Sequence, residues 1–240
     1  MAASREKIVG ILQPSYLPWL GFFEQMQQAD VFVYYDDVQF EKGSWRNRNR
    51  IKTAQGPQWL TVPVLTKGHD FPQIKDVRIN NTQPWAGKQI KAISQNYGKA
   101  PYFEEYAQGL FEVMGRPWTH LLDLDLALLS WLREQLGITT PTVLSSELGI
   151  AGRNVERLIA IIRHLEGTVF YEGRAGMEYI DSAFFIAAGI TVRFQEYAHP
   201  VYPQLYGEFV PYLSVMDLLF NCGPESLAIV TGINVEKEYI

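Results

Sequence analysis

Two runs of β-branched and aromatic residues, Ile8–Leu12 and residues 31–35, enclose a stretch of helical spacing in which Leu20, Phe23, Met26 and Gln27 follow Pro18. Strand, helix, strand within about 30 residues is the smallest unit that joins two parallel strands. Gln13-Pro14 ends the first run, because proline restricts the residue before it and donates nothing to a ladder. The second run is apolar on both alternating faces until Asp36-Asp37, the pattern of a strand covered from both sides. After Gly137 the alternation resumes with strand 142–144, helix 154–164, strand 168–171, helix 177–188 and strand 190–195. The simplest assembly joins the first strand pair and the last three strands in one mainly parallel sheet flanked by helices, an α/β fold.

Between these halves, residues 59–65 and 77–79 read as short strands separated by Gly and Pro. Three helical segments follow, at 84–97, 103–114 and 119–136, each with apolar residues three or four apart. The organisation expected is a single α/β domain over 1–240. Its parts are a first β-α-β unit and basic loop at 8–56, a β insert at 57–83, a helical middle section at 84–137 and a second α/β half at 138–240.

A hydrophobic fraction of 47% with 20% charged residues excludes a disordered chain. A formal charge of -5 gives no broad positive field for nucleic acid or an anionic bilayer, so general nucleic-acid binding is not expected. Cys222 is the only cysteine, which leaves no disulfide framework or thiolate zinc cage and suggests a reducing compartment. The greasiest segment, 121–136, contains Asp123, Asp125, Arg133 and Glu134, so no membrane span is expected. The first seven residues have no signal-peptide core, and the expected location is cytoplasmic.

In an open parallel sheet, ligands sit beyond the carboxyl ends of the strands, where loops and helix N-termini converge. Reading off those ends gives Gln13; Asp36 and Asp37; Ser145, Ser146 and Glu147; Glu172; and Glu196 followed by His199. Two adjacent carboxylates after an apolar strand suit a general base, sugar hydroxyls or a magnesium ion, although one of them, Asp37 in preference to Asp36, is as readily a turn cap. Ser145-Ser146-Glu147 leads toward a helix and suits an anion, and equally suits ordinary capping. His199, stiffened by Pro200 and Pro203, is placed for proton transfer near neutral pH. No histidines have metal-ligand spacing, and no metal site is expected. No Walker lysine and no Rossmann glycine fingerprint occur, which disfavours a P-loop NTPase or a simple dehydrogenase.

The basic charge is concentrated in residues 41–52, where Lys42, Arg46, Arg48, Arg50 and Lys52 face a single acid, Glu41. An extended backbone puts Arg46, Arg48 and Arg50 on one face and Asn47 and Asn49 on the other. Guanidinium forks grip phosphate or carboxylate in pairs of bonds, and Trp45 and Trp59 nearby suit stacking on a base or sugar ring. The alternative is a solvated loop with tryptophans as core anchors. Cys222, beside apolar residues 218–220, reads as a small buried residue more than as a nucleophile.

Several motifs then combine. Gln13-Pro14-Ser15-Tyr16-Leu17-Pro18-Trp19-Leu20-Gly21, Ala29-Asp30-Val31-Phe32, Asp36-Asp37-Val38-Gln39-Phe40, the block from Arg46 to Lys52, and Trp59-Leu60-Thr61-Val62-Pro63 resemble the WbqC-like protein family. Ser145 to Gly149, His199-Pro200-Val201-Tyr202 and Asp217-Leu218-Leu219-Phe220-Asn221 extend the resemblance over nearly the whole chain. Many members carry histidine just before the glutamine, where this sequence has Leu12. The first unit also resembles the opening of adenylyl-transferring enzymes with a His-x-Gly-His signature, but Trp19 and Phe22 occupy the histidine positions around Gly21.

The family resemblance implies a context among O-antigen and other surface-polysaccharide genes, including pathways that attach acyl or aminoacyl groups to amino sugars. It suggests a transferase or ligase acting on an amino-sugar nucleotide. The catalytic candidates are His199 and Asp36. The substrate-binding candidates are Gln13, Tyr16, Trp19, Asp37, Arg46, Asn47, Arg48, Asn49, Lys52, Ser145, Ser146, Glu147 and Glu172. The expected partner is a small phosphorylated sugar or nucleotide sugar, with a nucleotide or an acyl-thioester as the candidate donor. A non-catalytic glycan-intermediate binder or scaffold, and a nucleotide-dependent ligase or nucleotidyltransferase-like enzyme, remain open, as does the oligomeric state.

Overall fold

The structure is a computed structural model that describes residues 5–65 and 72–232. In chain order it begins with β1 (Ile8–Leu12), α1 (Leu20–Gln28), β2 (Val31–Tyr34), β3 (Arg48–Thr53), β4 (Gly56–Thr61), β5 (Val64–Leu65) and β6 (Arg78–Ile79). Then come α2 (Trp85–Tyr97), α3 (Phe103–Met114) and α4 (Leu121–Leu136). The last part contains β7 (Thr142–Leu144), α5 (Asn154–His164), β8 (Val169–Glu172), α6 (Ser182–Ala187), β9 (Thr191–Phe194), α7 (Val215–Cys222) and α8 (Ser226–Thr231). The part of the expected β insert at 66–71 lies outside the described residues.

The chain forms two compact units. One comprises the stretch ending at Gln13, Glu24–Asp37 and Thr139–Ala198; the other comprises Pro14–Phe23, Val38–Ile138 and the stretch from His199 onward.

The first unit is built on the expected sheet, five strands in the order β7-β2-β1-β8-β9 and every neighbouring pair parallel. Val9 and Ile11 of β1, Val33 of β2 and Phe170 of β8 bury one face against Ile161 and Ile162 of α5 and Phe185 of α6. Each such side chain removed from water contributes roughly 1.5–3 kcal/mol, so this layer fixes the register that aligns the strand ends. The helix expected over 177–188 is interrupted. A 3-10 turn occupies Arg174–Glu178, and α6 starts afresh where Asp181 accepts the Ala183 N–H at 2.9 Å. That cap satisfies an amide of the new first turn, and so restarts the helix.

The second unit contains the helical section α2 to α4, α7 and α8, and two small antiparallel ladders. Of the basic segment, residues 41–47 form turns, while strand β3 takes up the rest and pairs with β4 from Arg48 opposite Thr61 to Thr53 opposite Gly56. The hairpin therefore runs through residue 56, where the sequence reading separates a basic loop from a β insert. Gly137 stops α4 in the left-handed conformation, φ 72°, which glycine adopts without a steric penalty. Helix α7 carries no periodic signal because all of its residues are buried. Ser214 caps it, accepting the Met216 N–H at 3.3 Å.

Candidate functional site

Because all five strands of the first unit are parallel, their carboxyl ends share one edge of the sheet. Along it lie, in order, the turn Ser145–Glu147 after β7, Asp36 and Asp37 after β2, Gln13 after β1, Glu172 ending β8 and Gln195 after β9. The expected strand-end residues of the first unit are thus brought to one rim, and His199 belongs to the second unit.

On one side of the rim, Asp36 is 1% exposed and works as a turn cap. Its Oδ1 accepts from Ser145 Oγ and from the Ser146 N–H, both at 3.0 Å, and its Oδ2 accepts from Ser146 Oγ at 2.6 Å. Asp37 accepts from Ser145 Oγ at 2.6 Å and from Arg157, whose Nη1 lies 2.9 Å from Oδ1 while Nη2 bonds Oδ2. Arg157 also donates Nε–H to the Ile150 carbonyl at 3.0 Å and stacks over Tyr35 at 5.1 Å. Burial pushes the Asp37 carboxyl up, but the bonds from Arg157 and Ser145 outweigh it and hold the pKa below the usual range. Glu147 is exposed in its turn, and Gln13 is half-buried.

On the other side, α1 supplies Glu24 and Gln25. Gln25 donates its amide to the Tyr171 carbonyl at 2.7 Å, and Tyr171 OH lies 3.1 Å from both Glu24 oxygens. Gln195 donates its amide to Glu24 Oε2. Alternation along β8 turns Tyr171 and Glu172 to opposite faces. Glu172 is 7% exposed. Burial pushes its carboxyl up to about 7, moderated by bonds from the Gly173 N–H and the Tyr179 hydroxyl. Gly176 closes over it, since a Cβ there would lie 2.4 Å from Glu172 Cγ.

In the second unit, the expected separation of faces holds along β3. Asn49 is buried, donating its amide to the Leu17 carbonyl at 2.6 Å, while Arg48 and Arg50 are half-buried on the opposite face. Asn47 does the same ahead of the strand, bonding the Val62 carbonyl at 2.9 Å. Lys52 is 2% exposed and donates to the Gly207 and Glu208 carbonyls at 3.4 and 2.6 Å. Its backbone N–H meets Tyr97 OH at 2.9 Å, and Tyr97 in turn donates to Asp217 Oδ1 at 2.7 Å. Gln204 donates to Asp217 Oδ2 at 2.8 Å. Burial pushes Asp217 up to about 6 against these bonds and the charge of Lys52. Burial, with Asp217 and Glu225 adding, pushes the Cys222 thiol up to about 12.

Tyr16 is fully buried and donates its hydroxyl to Gln89 Oε1 at 2.7 Å. Trp19 stacks on His199 with ring centres 6.3 Å apart and planes 18° from parallel. His199 bonds the Pro200 carbonyl through Nδ1 at 2.9 Å and accepts the Tyr212 N–H at Nε2, 3.1 Å away. That pattern defines a neutral ring protonated on Nδ1, consistent with the burial that lowers its pKa.

Sequence reasoning did not single out Arg157, Glu24, Gln25, Gln195 or Tyr171, whose partners are distant in the chain. Asp125 did leave a signal. It falls on the face of α4 marked by Leu121, Leu124, Leu128 and Leu132, and it is fully buried there. Among the described residues, no group of three or more His, Cys, Asp or Glu side chains is placed to hold a metal ion. No helix among them is long and apolar enough to cross a membrane.

The class defined so far is an α/β protein with a five-stranded parallel sheet, a polar carboxyl-end rim and a separate helical unit bearing an arginine-lined hairpin. The model of the WbqC-like protein family matches residues 13–229, and the chain belongs to that family. It is 38% identical over 222 residues to a Mycobacterium tuberculosis (strain ATCC 25618 / H37Rv) protein described as uncharacterized protein Rv1507c, covering 92% of this chain and 96% of that protein. No solved structure matches the chain significantly.

Proposed function

We propose that this chain is an enzyme of surface-polysaccharide precursor synthesis that transfers an acyl or aminoacyl group to an amino-sugar nucleotide, with its proton chemistry at the rim of the first unit. The observation that carries the reading is Glu172, a buried carboxyl whose pKa burial pushes up to about 7, at the carboxyl-end rim of a parallel sheet, where such folds bind ligands. An amine attacking an acyl carbon must shed a proton, and a carboxylate of raised pKa accepts it better near neutral pH than an ordinary one. Tyr179 bonds Glu172 from a largely exposed ring, which gives the proton a route to solvent. In the transfer an amide C–N bond forms and the bond from the acyl carbon to its thioester sulfur or adenylate oxygen breaks. The amine proton passes to Glu172 and then to the leaving group.

Asp36 and His199, the bases nominated from sequence, hold hydrogen bonds that order their own loops, and this reading gives them positioning roles. Family membership supports the glycan context. The test is incubation of purified protein with amino-sugar nucleotides and acyl-thioester or aminoacyl-adenylate donors, followed by mass spectrometry. A mass gain that Glu172→Gln abolishes supports the reading; no gain across a broad panel overturns it.

A non-catalytic binder of a glycan intermediate is the second reading, favoured by Trp45 and Trp59, which are 43% and 44% exposed. It is distinguished by ligands that raise the melting temperature of wild type and Glu172→Gln equally, with no mass change.

A further inference from the structure

We propose that the β3–β4 hairpin of the second unit is a binding site for a nucleoside diphosphate. Strand register sets Arg50 directly opposite Trp59, with Arg48 opposite Thr61. The Arg48 guanidinium lies 4.4 Å above the Trp59 ring, and that of Arg50 lies 5.7 Å from Trp59 and 5.9 Å from Trp45. The two indoles are 5.3 Å apart, tilted by 41°. Among the described residues neither Arg48 nor Arg50 has a carboxylate partner, and the Arg50 guanidinium donates to the neutral Tyr212 carbonyl at 3.2 Å. This is so although acids outnumber Lys and Arg in the chain, 26 to 21.

Two guanidiniums sharing one indole repel each other, and cation–π attraction offsets only part of that repulsion. An anion relieves it. The two arginines are rigidly presented, because Asn49 between them is fastened to the Leu17 carbonyl and accepts the Arg50 N–H at 2.7 Å. Alternate residues of a strand stand roughly 6–7 Å apart, a span that two linked phosphoryl groups bridge with one fork each. The exposed indole surface beside the forks suits a flat ring carried on the same ligand. Phosphate alone leaves the indoles unused, and a neutral glycan leaves the guanidiniums unused. A long nucleic acid needs a basic track that a chain of charge -5 does not supply. The proposal concerns this unit alone and needs no turnover, so failure of the transfer assay above leaves it standing, and its own failure leaves the chemistry of Glu172 standing.

The experiment is calorimetric titration with tryptophan fluorescence, using UDP, ADP, inorganic pyrophosphate, uridine and a short oligouridylate. At least one nucleoside diphosphate is expected to saturate the protein and quench its fluorescence, with pyrophosphate and uridine each at least about tenfold weaker. Arg48→Gln and Arg50→Gln are each expected to weaken that binding by about tenfold or more with unchanged melting temperature. Trp59→Leu, at an exposed position, is expected to remove the quench. No saturable binding of UDP or ADP, affinity unchanged in both arginine variants, or tighter binding of the oligouridylate than of either nucleotide would overturn the proposal.

Discussion

Arg157 clasps Asp37 with both terminal nitrogens of its guanidinium, and so ties helix α5 to the turn beyond β2. The side chains of the pair are 8% and 14% exposed, which places it between a surface ion pair and a buried one. Ser145 extends the link, because its hydroxyl reaches both Asp36 and Asp37 from the end of β7. Three elements of the first unit therefore meet at one carboxylate pair, and the shape of the rim depends on charges that are satisfied only together.

Arg157→Gln leaves Asp37 the Ser145 hydroxyl and its own backbone N–H as donors in a half-buried place. Removing one partner of such a pair is expected to cost about 2–4 kcal/mol, read as a lower midpoint in urea at pH 7. The folded pKa of Asp37 is depressed, so its contribution is present above the unfolded carboxylate pKa and is lost as pH falls through the folded value. Acid unfolding of Arg157→Gln is accordingly expected to begin at a higher pH than in wild type, and a coincident acid limb would contradict the assignment.

Glu172 gives the opposite slope. Its folded pKa is raised from 4.5 to about 7, so the folded state binds more protons than the unfolded state between those values, and stability falls as pH rises through that window. Glu172→Gln is expected to flatten the slope and to gain on the order of 2 kcal/mol over wild type at pH 8, with no gain at pH 4. Denaturant titrations at several pH values check both the sign and the window.

The five strands were legible because each is a β-branched run that ends in a turn signal, and the parallel order followed from the helices between them. Segments 103–114 and 154–164 were legible through their apolar period. Strand β3 was half legible. Its alternation separated arginine from asparagine correctly, yet its polarity masked the ladder with β4. Helix α7 left no period because it is buried all round. Gln13, Asp36, Ser145 and Glu172 could be gathered at one rim because strand ends are countable along the chain. Arg157 could not be added, since it sits 120 residues from Asp37 and looks like any basic residue of an amphipathic helix. Gln195, 171 residues from Glu24, is the same case.

Lys52 ties the irregular, bent stretch before α7 to the hairpin through its bonds to the Gly207 and Glu208 carbonyls. Lys52→Met keeps most of the buried stem but removes both donors and the charge facing Asp217. A loss of about 1–3 kcal/mol is expected, with faster proteolytic cleavage near residues 205–209 than at other exposed sites. Equal protection of that stretch in variant and wild type would show that Tyr206, whose hydroxyl bonds the Asn96 carbonyl at 2.7 Å, holds it alone.

Asp125 carries the clearest local conflict in the second unit. It is fully buried on α4, and among the described residues neither carboxylate oxygen has a hydrogen-bond partner. Burial drives its pKa well above the ordinary range, and the charge of Arg46 only partly opposes this. Raised in the folded state, the group makes folding proton-binding, so its destabilising effect grows as pH climbs from the unfolded carboxylate pKa toward the folded one. Asp125→Asn keeps the shape and removes the ionisation. It is expected to match wild type at pH 4 and to exceed it by about 1–3 kcal/mol at high pH, the usual cost of an unsatisfied buried polar group. If Asp125→Asn instead loses stability at every pH, the carboxylate is ionised in the fold and its attraction to Arg46 outweighs its desolvation, which would make it a support for the arginine row.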